Sequence, residues 1–160
     1  MARTIFQTKT SSINRATKAV AATDVSAYCP DLDTWPRSWM GLEKDLPAGE
    51  QLLACFRPFI EHLASSTLSR KTIRRHVDNL WMLGGEIIRG LHYDPSLRKM
   101  PADRLLRNVI HEDGGPLVHN GSEEQQRSFD STCRKFHRSL QKWPRQGNLW
   151  VTGELSAGIG

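Results

Sequence analysis

Hydrophobic residues recur at helical spacing in four stretches of the chain, and polar residues fill the positions between them. In the first stretch, about residues 48–64, apolar side chains repeat at intervals of three and four, which predicts one buried helix face. The members of this stripe are Leu52, Phe56, Phe59, Ile60 and Leu63. Pro58 interrupts the stretch and removes one backbone hydrogen bond, so we expect a kink or two shorter helices there.

A second helix is predicted from about Arg70 to Arg89. Ser69 precedes it and is a favourable N-cap, because its hydroxyl accepts a hydrogen bond from an early backbone N–H. The apolar stripe of this helix consists of Ile73, Val77, Leu80, Trp81, Gly84, Ile87 and Ile88. Gly84 and Gly85 each weaken a helix by about 1 kcal/mol relative to alanine, and a close helix crossing at this point would account for them.

Two further helices follow. The third begins near Pro101, a favoured first-turn residue, and ends at the sequence Gly-Gly-Pro of residues 114–116. Its apolar stripe is Leu105, Leu106, Val109 and Ile110. The fourth follows Ser122, whose spacing to Gln125 is typical of a capping box, and ends before Pro144. Its apolar stripe is Phe129, Cys133, Phe136, Leu140 and Trp143.

The segments outside these helices lack a helical stripe. Residues 1–27 are rich in Ser, Thr and Ala, and we interpret them as a basic flexible arm. Trp35, Trp39 and Met40 follow, and we expect them to cap the edge of a core; stacking on nucleic-acid bases is the alternative. Residues 144–160 form the predicted tail, with a short strand at 149–152 that cannot make a sheet alone.

The predicted fold is therefore all-α: a small helical bundle of about four to five helices. The helical domain spans residues 28–143, between the basic flexible arm of residues 1–27 and the irregular tail of residues 144–160. No stretch of about 18 apolar residues is present, so we expect no membrane span and a cytoplasmic location. The oligomeric state is left open.

The distribution of charged residues indicates a candidate binding surface. The formal net charge is +5, and the basic excess lies in the arm and in residues 61–110, which hold nine basic and five acidic residues. Arg70, Lys71, Arg74 and Arg75 crowd the opening turns of the second helix. Cations are slightly unfavourable at a helix N-terminus, and a bound polyanion would reverse that cost. The alternative interpretation is a solvated face whose repulsion is screened by salt.

Bases also accompany the stripe of the fourth helix. They are Arg127, Arg134, Lys135, Arg138 and Lys142. The acids Glu123, Glu124 and Asp130 lie near the start of that helix, which is ordinary matching of side-chain charge to the helix dipole. We therefore interpret these bases as structural first.

Residues 48–91 resemble the core-binding domain of phage-type integrases, the tyrosine recombinases. The matching positions are Phe59, Leu63, Leu68, Ser69, Lys71, Thr72, Ile73, His76, Leu80 and Trp81. His76 departs from the pattern, since the family more often has Tyr there. The resemblance implies that the start of the second helix lies against a DNA backbone. The implied contact residues are Ser69, Arg70, Lys71, Thr72, Arg74 and Arg75.

Catalytic chemistry is not indicated. Recombinases attack DNA with a tyrosine surrounded by Arg, His and Lys, and neither Tyr28 nor Tyr93 lies in such a segment. Cys133 and His137 have the i, i+4 spacing of zinc ligands, with His111 and His119 as the nearest further candidates. Because Cys133 continues an apolar stripe, we favour core packing. We expect no enzyme, no metal and no cofactor.

Two functions are consistent with these patterns. The first is a non-catalytic DNA-binding module from a mobile-element or phage setting, which would hold duplex DNA by its backbone. The second is a protein–protein interaction module whose partner is acidic or is itself a nucleic-acid-binding complex. A small phage-borne inhibitor of a host defence complex of the CRISPR type would fit, as would an adaptor with Trp35 and Trp39 as its hot spot.

Overall fold

The computed structural model describes residues 25–142, and this range contains five α-helices and no strand. The helices are α1 (Trp35–Trp39), α2 (Leu46–Ala64), α3 (Arg70–Tyr93), α4 (Ala102–Val109) and α5 (Glu123–Lys142). The predicted all-α class is confirmed. Most of the predicted arm, Trp143 and the predicted tail lie outside the described residues. Residues 25–27, the last three of the predicted arm, form a single 3₁₀ turn with Val25 in the core.

Helix α2 is the centre of the bundle, because α1, α3 and α4 all pack against it. Its predicted stripe is fully buried, and α3 completes the core from the other side with α5 packed on it. Phe136 of α5 reaches this centre, with ring centroids 5.4 Å from Phe56 and 5.0 Å from Phe59. Such edge and tilted aromatic contacts add to the free energy gained by burying the rings.

Of the two outcomes expected at Pro58, a kink or two shorter helices, the division into two helices does not occur. Helix α2 runs unbroken for 19 residues with Pro58 inside it. The ring costs one backbone hydrogen bond. The neighbouring Phe56, Phe59 and Ile60 are all fully buried, so the helix is held in the core on both sides of Pro58.

A close helix crossing was predicted at the paired glycines, and the structure shows the side chain of Trp39 from α1 packed directly on Gly84. A Cβ atom added at Gly84 would overlap the indole of Trp39, whose Nε1 donates to the carbonyl of Trp81 at 2.9 Å. Trp35 and Trp39 pack in the core as expected, 3% and 8% exposed, whereas Met40 is 37% exposed. The burial of both rings favours core packing over stacking on bases. Trp81, predicted to be buried, is 43% exposed because it lies at the rim of the α3 stripe.

The two helix starts that were predicted from a capping serine are confirmed by the capping hydrogen bonds. Ser69 Oγ accepts from Thr72 N at 3.1 Å, and Ser122 and Gln125 exchange the two bonds of a capping box at 3.1 and 2.9 Å. The predicted end of the third helix is wrong, since α4 ends at Val109. Ile110 takes an extended backbone conformation there, which places its side chain in the core.

Candidate nucleic-acid interface

The six residues predicted to contact nucleic acid lie together around the first turns of α3. Ser69 and Thr72 are engaged with each other, because Ser69 Oγ caps Thr72 N and also donates to Thr72 Oγ1 at 2.9 Å. The charged members Arg70, Lys71, Arg74 and Arg75 are all exposed. We call these four residues the α3 row. They are the groups that this surface presents to solvent.

No ion pair within 4.0 Å joins the α3 row to a carboxylate in the described part of the chain. The ion pairs found there are Arg57–Asp33 and Arg98–Asp45, and His92 Nε2 lies 3.2 Å from Asp45 Oδ2. Arg70 instead lies over the ring of Tyr28, 5.7 Å from its centroid, with a long hydrogen bond of 3.5 Å to the carbonyl of Ala27. The row therefore has no direct ion pair within 4.0 Å in the described residues, although Asp78 lies near enough to Arg74 to interact with its charge.

Two acidic residues lie beside one end of the α3 row and form an acidic boundary. Asp78 follows Arg74 by one turn of α3, and Asp31 is close enough to Asp78 to act on its ionisation. Burial raises the pKa of Asp78, Asp31 raises it further, and Arg74 opposes the shift. A polyanion seated on the row would extend away from this boundary, because like charges repel.

His76, which breaks the family pattern, lies beneath the row rather than on it. It is 4% exposed, and its Nδ1 is 2.7 Å from Thr132 Oγ1 of α5. Burial, followed by the charges of Arg75 and Lys135, lowers the pKa of His76 to about 4. The imidazole is therefore neutral at physiological pH and adds nothing to the positive charge of the surface.

Helix α5 packs beside the row, which the sequence did not reveal. Asn79 donates to Thr132 Oγ1 at 2.8 Å and to the carbonyl of Ser128 at 3.1 Å, while His76 meets Thr132 from one turn earlier in α3. Residue numbers thus increase along α5 in the direction in which they decrease along α3, so the two helices are antiparallel. The C-terminal half of α5, which holds four of its five bases, lies beside the start of α3.

A groove of about 550 Å³ lies at the other end of α3. The exposed edge of Trp81 forms part of its wall, and Trp81 Nε1 donates to Ser38 Oγ at 3.0 Å. Glu86 and His119 also line it, with the backbone N–H of His119 donating to Glu86 at 3.2 Å. The groove thus mixes aromatic, acidic and basic groups.

Cys133 and His137, the candidate metal pair, lie in different environments. Cys133 is 1% exposed in the core, where burial first and Asp130 second raise the pKa of its thiol to about 12. His137 forms a hydrogen bond with Gln141 at 2.9 Å. Among residues 25–142, no group of three or more His, Cys, Asp or Glu side chains is placed to hold a metal ion.

No helix of the described range is long and apolar enough to cross a membrane.

Comparison of the chain with protein families, with curated proteins and with solved structures finds no match.

Proposed function

We propose that this protein is a non-catalytic module that binds duplex DNA by its phosphate backbone, through the α3 row. The observation that carries the proposal is the exposure of four neighbouring cations with no carboxylate within 4.0 Å in the described residues. The cations lie at a helix N-terminus, where they oppose the helix dipole, so a bound polyanion would relieve a local cost. The resemblance of residues 48–91 to integrase core-binding domains points the same way and suggests a phage or mobile-element setting.

Backbone binding has a measurable signature. Each phosphate that the protein neutralises releases condensed counterions, and the logarithm of the affinity falls with the logarithm of salt concentration by about 0.9 per contact. Four contacts from the α3 row predict a slope of about −3.6. Binding of this kind shows little sequence preference, because phosphate contacts carry no base information.

The test removes two charges of the row. In Arg74→Ala/Arg75→Ala, we expect the slope on a duplex to become shallower by about two units, measured by fluorescence anisotropy over a salt series. The matched control is Arg104→Ala/Arg107→Ala, which removes two exposed arginines from α4 and leaves the slope unchanged. Equal slopes for the wild type and Arg74→Ala/Arg75→Ala would reject the proposal.

A protein partner is the second candidate, and the exposed Trp81 favours it. Trp81 lies seven residues after Arg74, two turns along the same helix, and 43% of it is exposed. Tryptophan and arginine are the residues most enriched in interaction hot spots, so an acidic protein surface with an apolar centre would fit this face of α3. Purification with nuclease distinguishes the two: a stoichiometric protein that survives nuclease and is lost in Trp81→Ala supports this candidate.

A further inference from the structure

The C-terminal half of α5 carries a second set of cations. Residues 131–142 contain Arg134, Lys135, Arg138 and Lys142 and no acidic residue. The acids of this helix all lie before residue 131. Dipole matching alone would be satisfied by one or two bases in the last turn, so this density of charge calls for a further explanation.

The packing determines which of these bases lie on the side of α5 that borders α3, beside Arg75 of the α3 row. Ser128 and Thr132 contact α3, while Phe129 and Phe136 point into the core. Lys135 follows Thr132 by three residues and lies close enough to His76 to act on its pKa, as Arg75 does from the α3 side. Lys135 and Arg75 therefore flank the same buried histidine from the two helices.

Arg138 and Lys142 extend the row from Lys135 toward the end of α5. They lie three and seven residues further on, at spacings that keep side chains on one side of a helix, and both are exposed. Arg134 is turned away, because its guanidinium donates to the carbonyl of Asp113 at 3.2 Å. We call Lys135, Arg138 and Lys142 the α5 row.

We propose that the α5 row is a second phosphate-binding surface, and that the seam between α3 and α5 holds the two strands of a duplex across one groove. The inference rests on the proposed function of the α3 row. Packed helix axes are about 8–10 Å apart, which lies between the widths of the minor groove, about 6 Å, and the major groove, about 12 Å. One row contacts the phosphates of one strand, and the other row contacts those of its complement.

The two-row surface changes the expected salt dependence. With seven phosphate contacts, the slope of the logarithm of the affinity against the logarithm of the salt concentration is about −6.3 in place of −3.6. Between 50 and 200 mM salt, the affinity would fall by about 6,000-fold for seven contacts and by about 150-fold for four. Single-stranded DNA has only one backbone and engages one row at a time, so its slope would be shallower.

The experiment compares the variant Lys135→Ala/Arg138→Ala/Lys142→Ala with the wild type on a duplex and on one of its strands. We expect the duplex slope to become shallower by about 2.7 units and the ratio of duplex to single-strand affinity to fall. Arg127→Ala/Arg134→Ala is the control from the same helix, since Arg127 lies about 16 Å before Arg138 and Arg134 faces Asp113. Circular dichroism verifies that each variant is folded.

The outcomes separate the two proposals. If the α5 variant keeps the wild-type slope while Arg74→Ala/Arg75→Ala loses two units, the second row is wrong and the first stands. If neither variant changes the slope, nucleic-acid binding itself is wrong. If the α5 variant weakens single-strand and duplex binding equally, both rows follow one strand and the two-strand arrangement is overturned.

Discussion

The two ends of α3 differ in whether the positively charged side chains near them contact a carboxylate. At the N-terminal end, the α3 row is exposed and has no carboxylate within 4.0 Å in the described residues. At the C-terminal end, His92 and the nearby Arg98 surround Asp45, a carboxylate that is 0% exposed. The charge of Arg98 is thus matched by a buried acid, whereas the α3 row has no such ion pair in the described residues.

Asp45 joins three parts of the chain. Its two oxygens accept from the backbone N–H groups of Gly41 and Leu42 at 3.1 and 2.9 Å and from Arg98 at 2.8 and 3.0 Å. Burial by itself would raise the pKa of Asp45, but these hydrogen bonds and the charge of Arg98 outweigh it and hold the pKa below its ordinary value. The carboxylate is therefore ionised and fully bonded.

The largest expected effect comes from removing this acid. Asp45→Ala leaves Arg98, whose side chain is 16% exposed, without its counter-charge, and removing one partner of a buried ion pair costs about 3–5 kcal/mol. The measurement is the free energy of unfolding in urea. The control is Asp33→Ala, which breaks the exposed pair with Arg57 and should cost below about 1 kcal/mol. Equal costs for the two variants would contradict the structural role assigned to the buried Asp45.

The next largest effect is a pH dependence of the free energy of unfolding, caused by His76 near the N-terminal end of α3. The pKa of His76 is about 4 in the folded protein against about 6.5 when unfolded, so the unfolded chain binds the proton first. The contribution of His76 to stability is complete above pH 6.5 and declines as pH falls toward 4, by about 3 kcal/mol in all. His76→Gln keeps a side chain that can reach Thr132 and does not titrate. Its unfolding free energy should lack this decline, and a decline that persists unchanged in the variant would contradict the assignment.

The smallest effects are expected in the α3 row itself. Arg70→Ala loses the contact with the Tyr28 ring, which at an exposed site stabilises by below about 1 kcal/mol. Lys71→Ala, with no ring or carboxylate contact in the described residues, should change the unfolding free energy by less than about 0.5 kcal/mol. Thermal unfolding at matched salt measures both. A large loss of stability in Lys71→Ala would make the row structural and weaken its assignment as a binding surface.

Local patterns predicted the parts of this fold that depend on neighbours in sequence. Ser69 caps α3 and Ser122 exchanges bonds with Gln125 because each cap needs only residues three positions apart. The failures arose where packing overrides local preference. Pro58 stays inside α2, where buried phenylalanines flank it, and Trp81 is exposed at the rim of the α3 stripe.

The α3 row was readable from the sequence because its four cations lie within six residues of one helix, whose geometry brings them together. The α5 row, the neutral state of His76 and the pairing of Asp45 with Arg98 were not readable. These contacts join positions from 53 to 60 residues apart, and which helix packs beside which is determined by the fit of whole buried faces. Helical periodicity fixed where each cation points on its own helix, and only the packing of α5 on α3 decided which cations share one surface.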